Sequence, residues 1–292
     1  MTTLRGSRFV YLSHTAARAH AENYFSILCL MHRSGLSKDV DAVVYTDDTD
    51  FYRDLPVEVR PITDSLRERA SNGYRNKLKS LVMADAADDG VEAIIYCDGD
   101  TWMRRHPARL AGMVTPRDSV MHIPEVRLDK TSDANKTRLR QLLEQSDVWV
   151  DRGQGQRVSP RSWMFNSGVV GLHAENFGLL QKAVDIGDQI HRLDASLFAV
   201  EQFSLGQALR TRTRIRFADS EVFHFWSRDV RAPFSVTIEN DVERLREADL
   251  EQRAASAYAL RPRYRGRAWL KMRVKKSAWA MGIVTPSVRS SL

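Results

Sequence analysis

The chain has 292 residues, 43% hydrophobic and 28% charged, a composition ordinary for a soluble globular protein that can bury a large core without staples. Its net charge of +7 is localised: residues 261–292 carry nine basic side chains and no acid, and subtracting nine from +7 leaves −2 on residues 1–260. No stretch reaches the ~18 apolar residues of a membrane span; the two cysteines, Cys29 and Cys97, lie in apolar segments, and with no leader before the first strand this points to buried free thiols in a reducing cytoplasm.

From the N-terminus, residues 8–13 read as a strand, followed by a helix through residues 22–31 that Gly35 ends. A second strand at 42–46 stops at Asp47-Asp48, a short third follows at 57–62, and a helix runs over 76–87 until Gly90. This βαβ rhythm predicts a mostly parallel sheet covered by helices. Residues 91–97 then form an apolar run of strand length that ends in Asp98-Gly99-Asp100. A buried strand delivers Asp98 to its C-terminal edge, and Gly99 permits a sharp turn that brings Asp100 back toward it.

Two carboxylates held this close repel each other unless a cation joins them. Oxygen ligands suit Mg²⁺ or Mn²⁺, which share their coordination sphere with phosphates. Open α/β sheets bind ligands at this same edge, so Asp98 and Asp100 read as a metal–diphosphate site. The competing reading is an ordinary Asp/Gly turn.

Beyond Asp100 a strand is expected at 119–123, and the polar residues 128–160 read as a helix plus a loop or lid. Residues 162–172 form a strand with a polar interruption, Asn166-Ser167-Gly168. Helices at 175–191 and 197–210 and short strands at 214–217 and 222–225 complete the pattern. The absence of repeats, low-complexity runs or a Pro/Gly-rich linker before residue 261 favours one domain, residues 1–260, with a basic tail at 261–292.

Several polar residues need a reason. Ser13-His14 and Asp47 follow the first two strands, where a nucleotide lying across the sheet edge finds partners for base and ribose; Asp47 serves equally as a turn former. Arg75 and Lys77 offer cations just before the acidic strand, or a solvated helix face. Gly168 weakens a strand unless something approaches closely. Asn166 and Ser167 suit sugar hydroxyls, with a bulge as the plain alternative. Glu201-Gln202 breaks an apolar helical pattern, as a donor-sugar contact or a stabiliser of an oxocarbenium-like transition state would.

The ordered set resembles the GT-A fold glycosyltransferases, in particular the retaining family that includes glycogenin and bacterial lipopolysaccharide galactosyltransferases. Tyr96-Cys97-Asp98-Gly99-Asp100 is similar to that family's metal motif, Phe165-Asn166-Ser167-Gly168-Val169 to its acceptor-side strand, and Glu201-Gln202 to its Asp-Gln pair. The resemblance spans residues 8–226. It implies a Rossmann-like nucleotide-sugar-binding domain, a Mn²⁺ or Mg²⁺ cofactor, and His224 as third metal ligand, a role neutral imidazole can fill. It further implies Lys77 near the donor phosphates, and Glu201 and Gln202 at the reacting sugar. The implied activity is hexosyl transfer from a nucleotide-diphosphate donor, UDP-sugar favoured, to a carbohydrate or glycolipid acceptor of a surface glycan such as lipopolysaccharide or capsule. Two departures stand out: Glu201 replaces Asp, and His224 leads into Phe225-Trp226-Ser227-Arg228-Asp229 where the family has a Lys-Pro-Trp-like segment.

The tail mixes cations with Trp269 and Trp279, as a segment lying peripherally on the anionic inner face of the cell membrane does; a solvated or protein-bound tail is the next reading, and nucleic acid the least favoured. A phosphatase of the Asp-x-Asp type places its acids after the first strand, not after ninety residues. The non-enzymatic alternative is an RNA- or polysaccharide-binding protein acting through the tail.

Overall fold

The apolar runs of the N-terminal half become β1 (Ser7–Ser13), β2 (Asp41–Thr46), β3 (Glu58–Pro61) and β4 (Ala93–Cys97). The helices between them are α1 (Ala17–Ser34), α2 (Asp64–Ser71) and α3 (Leu78–Asp85). A computed structural model describes residues 4, 6–37, 39–71, 75–87 and 90–262. Next in the chain come β5 (Thr101–Met103), α4 (Pro107–Ala111), β6 (Asp118–Arg127), α5 (Ala134–Gln145), β7 (Trp149–Asp151) and β8 (Gln156–Arg157). Then follow β9 (Trp163–His173), α6 (Gly178–Leu193), α7 (Val200–Leu209), β10 (Arg214–Phe217), β11 (Val222–His224), α8 (Arg228–Arg246) and α9 (Leu250–Leu260).

Among the described residues seven strands form one sheet in the order β10-β6-β9-β4-β1-β2-β3. The pairs β3–β2, β2–β1, β1–β4 and β6–β10 are parallel, and β9 is antiparallel to both β4 and β6. This is the α/β architecture, mostly parallel and helix-covered, expected from the sequence. The twofold alternation of side chains along a strand builds the two cores. Val10, Ile94 and Tyr96 join one apolar layer with α2, α3, α6 and α7. Phe9, Tyr11, Ile95 and Cys97 join the other with α1, α8 and α9. Both cysteines are free and buried.

The strand order reverses at β1, with β2 and β3 added on one side and β4 on the other. The loops leaving β1 and β4 therefore flank the crevice where such sheets take ligands. A separate antiparallel pair, β5 with β11, sets Thr101 opposite His224, and the Phe225 N–H donates to the Asp100 carbonyl at 2.9 Å.

Some elements differ from the sequence reading. The helix expected over 197–210 starts only at Val200, because Ala199 before it takes a left-handed φ of 62°. Residues 128–160 hold α5 and the β7–β8 hairpin. Helices α8 and α9 have no counterpart among the elements read from the sequence. They pack on α1, where Tyr258 stacks between His32 (4.4 Å) and Trp102 (4.9 Å). Among the described residues no helix is long and apolar enough to cross a membrane. The tail reading falls almost wholly on residues 263–292, outside the described residues.

Candidate metal centre

β4 ends at Cys97, and the next three residues turn sharply enough for β5 to begin at Thr101. Gly99 is needed here for space rather than for a left-handed backbone. A β-carbon on it would stand 2.7–3.0 Å from the side chain and backbone nitrogen of Asn23 in α1. The turn presents Asp98 and Asp100 on one side, and β11 brings His224 against them. One ligand atom from each of the three lies within 4.8 Å of the others, a group that could hold a metal ion. His224 Nε2 is 2.9 Å from Asp100 Oδ1 and 3.7 Å from Asp98 Oδ2.

The imidazole is oriented from behind. Asn166 Oδ1 accepts from the Gly168 N–H (3.0 Å), which identifies it as the oxygen, and it accepts from His224 Nδ1 at 2.9 Å. With Nδ1 donating, Nε2 is the nitrogen turned toward the carboxylates, the arrangement metal-binding histidines use. Gly168 makes the position possible: a β-carbon there would overlap the ring, 2.1 Å from Nδ1. The rings of His122 (5.2 Å) and Trp226 (5.0 Å) pack round it.

The acids are matched by two cations. Lys79 Nζ, from the buried face of α3, is 3.1 Å from Asp98 Oδ1 and 3.5 Å from Glu201 Oε1. It donates to the Ser167 carbonyl and hydroxyl oxygens, both at 3.2 Å, and lies 4.8 Å from the centre of the Tyr96 ring. Burial alone would lower the lysine's pKa, but Asp98 and Glu201 outweigh it and raise it. Burial lifts the Glu201 carboxyl above its usual range, Asp98 adding to the rise, and Lys79 and Ser167 offset only part of it. Arg231 of α8 places Nη1 3.0 Å from Asp100 Oδ2. Burial disfavours the charged Asp100 carboxylate, yet His224 and Arg231 hold its pKa down to about 2.

The residues singled out in the sequence fall into three groups. Asp98, Asp100, His224, Asn166, Ser167 and Glu201 share this one cluster; Ser167 Oγ donates to Glu201 Oε2 at 3.2 Å. Gln202 lies at its rim. Its amide donates to Glu125 Oε2 (3.3 Å), a carboxylate that also takes Asn166 Nδ2 (3.3 Å) and Lys136 Nζ (3.1 Å). The others lie elsewhere. Ser13 is fully buried and pairs with His20 Nδ1 at 2.8 Å. Asp47 ties the first two strand-end loops together through His20 Nε2 (3.2 Å) and the Thr15 N–H (2.8 Å). His14 is half-buried beside them, and burial lowers its pKa. Lys77 is paired with Asp188 of α6 at 3.2 Å, so the cation beside the acids is Lys79, two positions on. The side chain of Arg75 lies outside the described residues.

Lys79, Glu125, Arg231 and Glu22, the second carboxylate that Arg231 holds, have no site role in the sequence reading. Lys79 left a signal: it sits on the apolar helical face with Val82 and Met83, three and four residues on. Glu22, followed by the buried run Tyr24–Met31, left a weaker one. Nothing local marks Glu125 or Arg231.

The donor set fits a hard divalent cation: two carboxylates and one imidazole, with Asp100 Oδ2 buried and making no hydrogen bond. Lys79 and Arg231 flank the acids on either side. No protein-family profile and no curated protein matches the chain. Among solved structures, it is similar to the galactosyltransferase LgtC in complex with donor and acceptor sugar analogs. That match has 10% identity and a TM-score of 0.48, over 72% of this chain and 73% of that one.

Proposed function

We propose that this chain is a metal-dependent glycosyltransferase of the GT-A type, moving a hexose from a nucleoside-diphosphate donor, UDP-sugar favoured, to a carbohydrate or glycolipid acceptor. The observation that carries the reading is the Asp98–Asp100–His224 cluster at the end of β4, beside the switch point of a mostly parallel sheet. Manganese is the cation favoured, with magnesium as substitute, and the outcome proposed is retention of configuration. The acceptor proposed is a surface glycan such as lipopolysaccharide or capsule, with the basic tail resting on the anionic inner face of the membrane.

Asp98, Asp100 and His224 would hold the cation, which supplies Lewis-acid neutralisation of the charge that develops on the leaving diphosphate. Asn166 keeps His224 Nε2 aimed at that position. Lys79 neutralises Asp98 and Glu201, so that a half-buried and a buried acid can stand beside the reacting sugar without mutual repulsion. Glu125 orients Gln202 and Asn166 at the rim, where the hydroxyls of the transferred sugar would be read.

The test is thermal unfolding with UDP or GDP, with and without Mn²⁺. A ligand that binds only the folded state raises the melting temperature, and the expected rise requires metal and nucleotide together. Equal shifts with and without Mn²⁺, or none, would reject the reading. Release of nucleoside diphosphate across a panel of nucleotide sugars then identifies the donor.

A further inference from the structure

We propose that Arg231 and the divalent cation compete electrostatically for Asp100, and that an incoming diphosphate relieves the competition by accepting from the same guanidinium. The inference rests on the metal–diphosphate reading of the site and gives it an order of loading: cation and diphosphate bind well together and the cation binds poorly alone.

The rigid guanidinium of Arg231 spans two carboxylates. Its Nε and Nη2 grip Glu22 of α1 in a two-bond fork, at 3.0 Å and 2.5 Å. Glu22 is itself buried and immobilised, since Arg18 Nε donates to it at 3.1 Å and the Ser235 hydroxyl donates to the same oxygen. A bidentate guanidinium–carboxylate pair of this kind is the strong class of ionic hydrogen bond. The third nitrogen, Nη1, stands 3.0 Å from Asp100 Oδ2 but out of hydrogen-bond alignment, so this contact is the weaker of the two. The Arg231 side chain is 40% exposed and the Asp100 side chain 4%, so an arriving ligand can reach the arginine while the aspartate stays covered.

Electrostatics supplies the coupling. Asp100 Oδ1 faces Nε2 of His224, the side a cation would take, and Oδ2 faces Arg231, so one carboxylate stands between the two positive charges. A guanidinium and a divalent cation on one buried carboxylate repel strongly at low dielectric. A diphosphate brings negative charge and a fork-shaped acceptor that suits Nη1. Accepting from Nη1, it offsets the guanidinium charge beside Asp100 while the grip on Glu22 holds. Binding of cation and diphosphate then becomes mutually favourable, and by linkage each strengthens the other by the same factor.

The experiment measures Mn²⁺ affinity by electron paramagnetic resonance and calorimetry, with and without UDP, for the wild type and Arg231→Gln. Removing the guanidinium should tighten Mn²⁺ binding without UDP by about tenfold and weaken UDP binding in the presence of Mn²⁺ by a similar factor. A residue that only supported the fold would weaken both. Arg231→Gln should fold, because Arg18 and Ser235 stay on Glu22. If it does not, the same measurement on Arg231→Lys decides, because one ammonium cannot hold both carboxylates and Mn²⁺ alone should again bind more tightly. Unchanged or weaker Mn²⁺ binding in the folded variant, with a wild type that binds Mn²⁺ and UDP cooperatively, overturns this proposal alone. A wild type that binds Mn²⁺ neither alone nor with UDP overturns the reading of the site, and this proposal with it.

Discussion

A β-carbon on Gly168 would stand 2.1 Å from Nδ1 of His224, so the missing side chain of one residue is the seat of the other. The glycine inside an apolar strand is explained by the imidazole that fills its place. Gly168→Ala should destabilise the protein by about 2 kcal/mol, an overpacking cost. In a His224→Ala background the same substitution should cost far less, because the overlapping ring is gone. Urea unfolding of the four proteins in this cycle measures the coupling. Additive losses would mean that the strand, not the histidine, requires glycine.

Lys79 and Lys77 should separate cleanly. Lys79→Met leaves Asp98 and Glu201 without their shared cation, and breaking such a buried pair should cost about 3 kcal/mol and abolish Mn²⁺-dependent nucleotide binding. Lys77→Met takes a partner from Asp188, whose side chain is 25% exposed and can turn to water. Stability should fall less, with Mn²⁺ affinity unchanged by calorimetry. Equal loss of Mn²⁺ affinity in both variants would contradict this placement.

Both thiols should be inert in the folded protein. Burial raises Cys29 well above the usual thiol range; for Cys97 burial is the largest cause, with the charge of Asp98 adding to it. Only thiolate reacts. Titration with a disulfide reagent at pH 8 should find no reactive cysteine in native protein and both after unfolding in urea. A rapidly labelled native thiol would show that one core layer opens.

The basic tail should be separable from the site. The residues of the metal centre all precede residue 232, and α9, which packs on α1, ends at Leu260. Truncation after Pro262 should leave the metal-dependent thermal shift intact and remove co-sedimentation with anionic vesicles. High salt should weaken vesicle binding of the full chain only in part, since tryptophans are not screened. A truncated protein that aggregates would place the tail against the body and reject the membrane role.

Local pattern was enough to determine the parallel core, the two acids at the end of β4, the buried cysteines and a polar break in β9. Strand period, turn chemistry and apolar runs act over a few residues, and a sequence displays them directly. Which lysine meets the acids was not legible in this way. Lys77 and Lys79 are two positions apart, which in a helix turns them by roughly 200°, and only the packing of α3 between the sheet and α6 decides which face carries the site. Glu22 and Arg231 lie 209 residues apart, and Asp100 and His224 124. No periodicity links them; the antiparallel pairing of β5 with β11 and the return of α8 onto α1 bring them together. The charge balance of the site is therefore a property of the tertiary structure, because it depends on which ionisable groups are buried side by side.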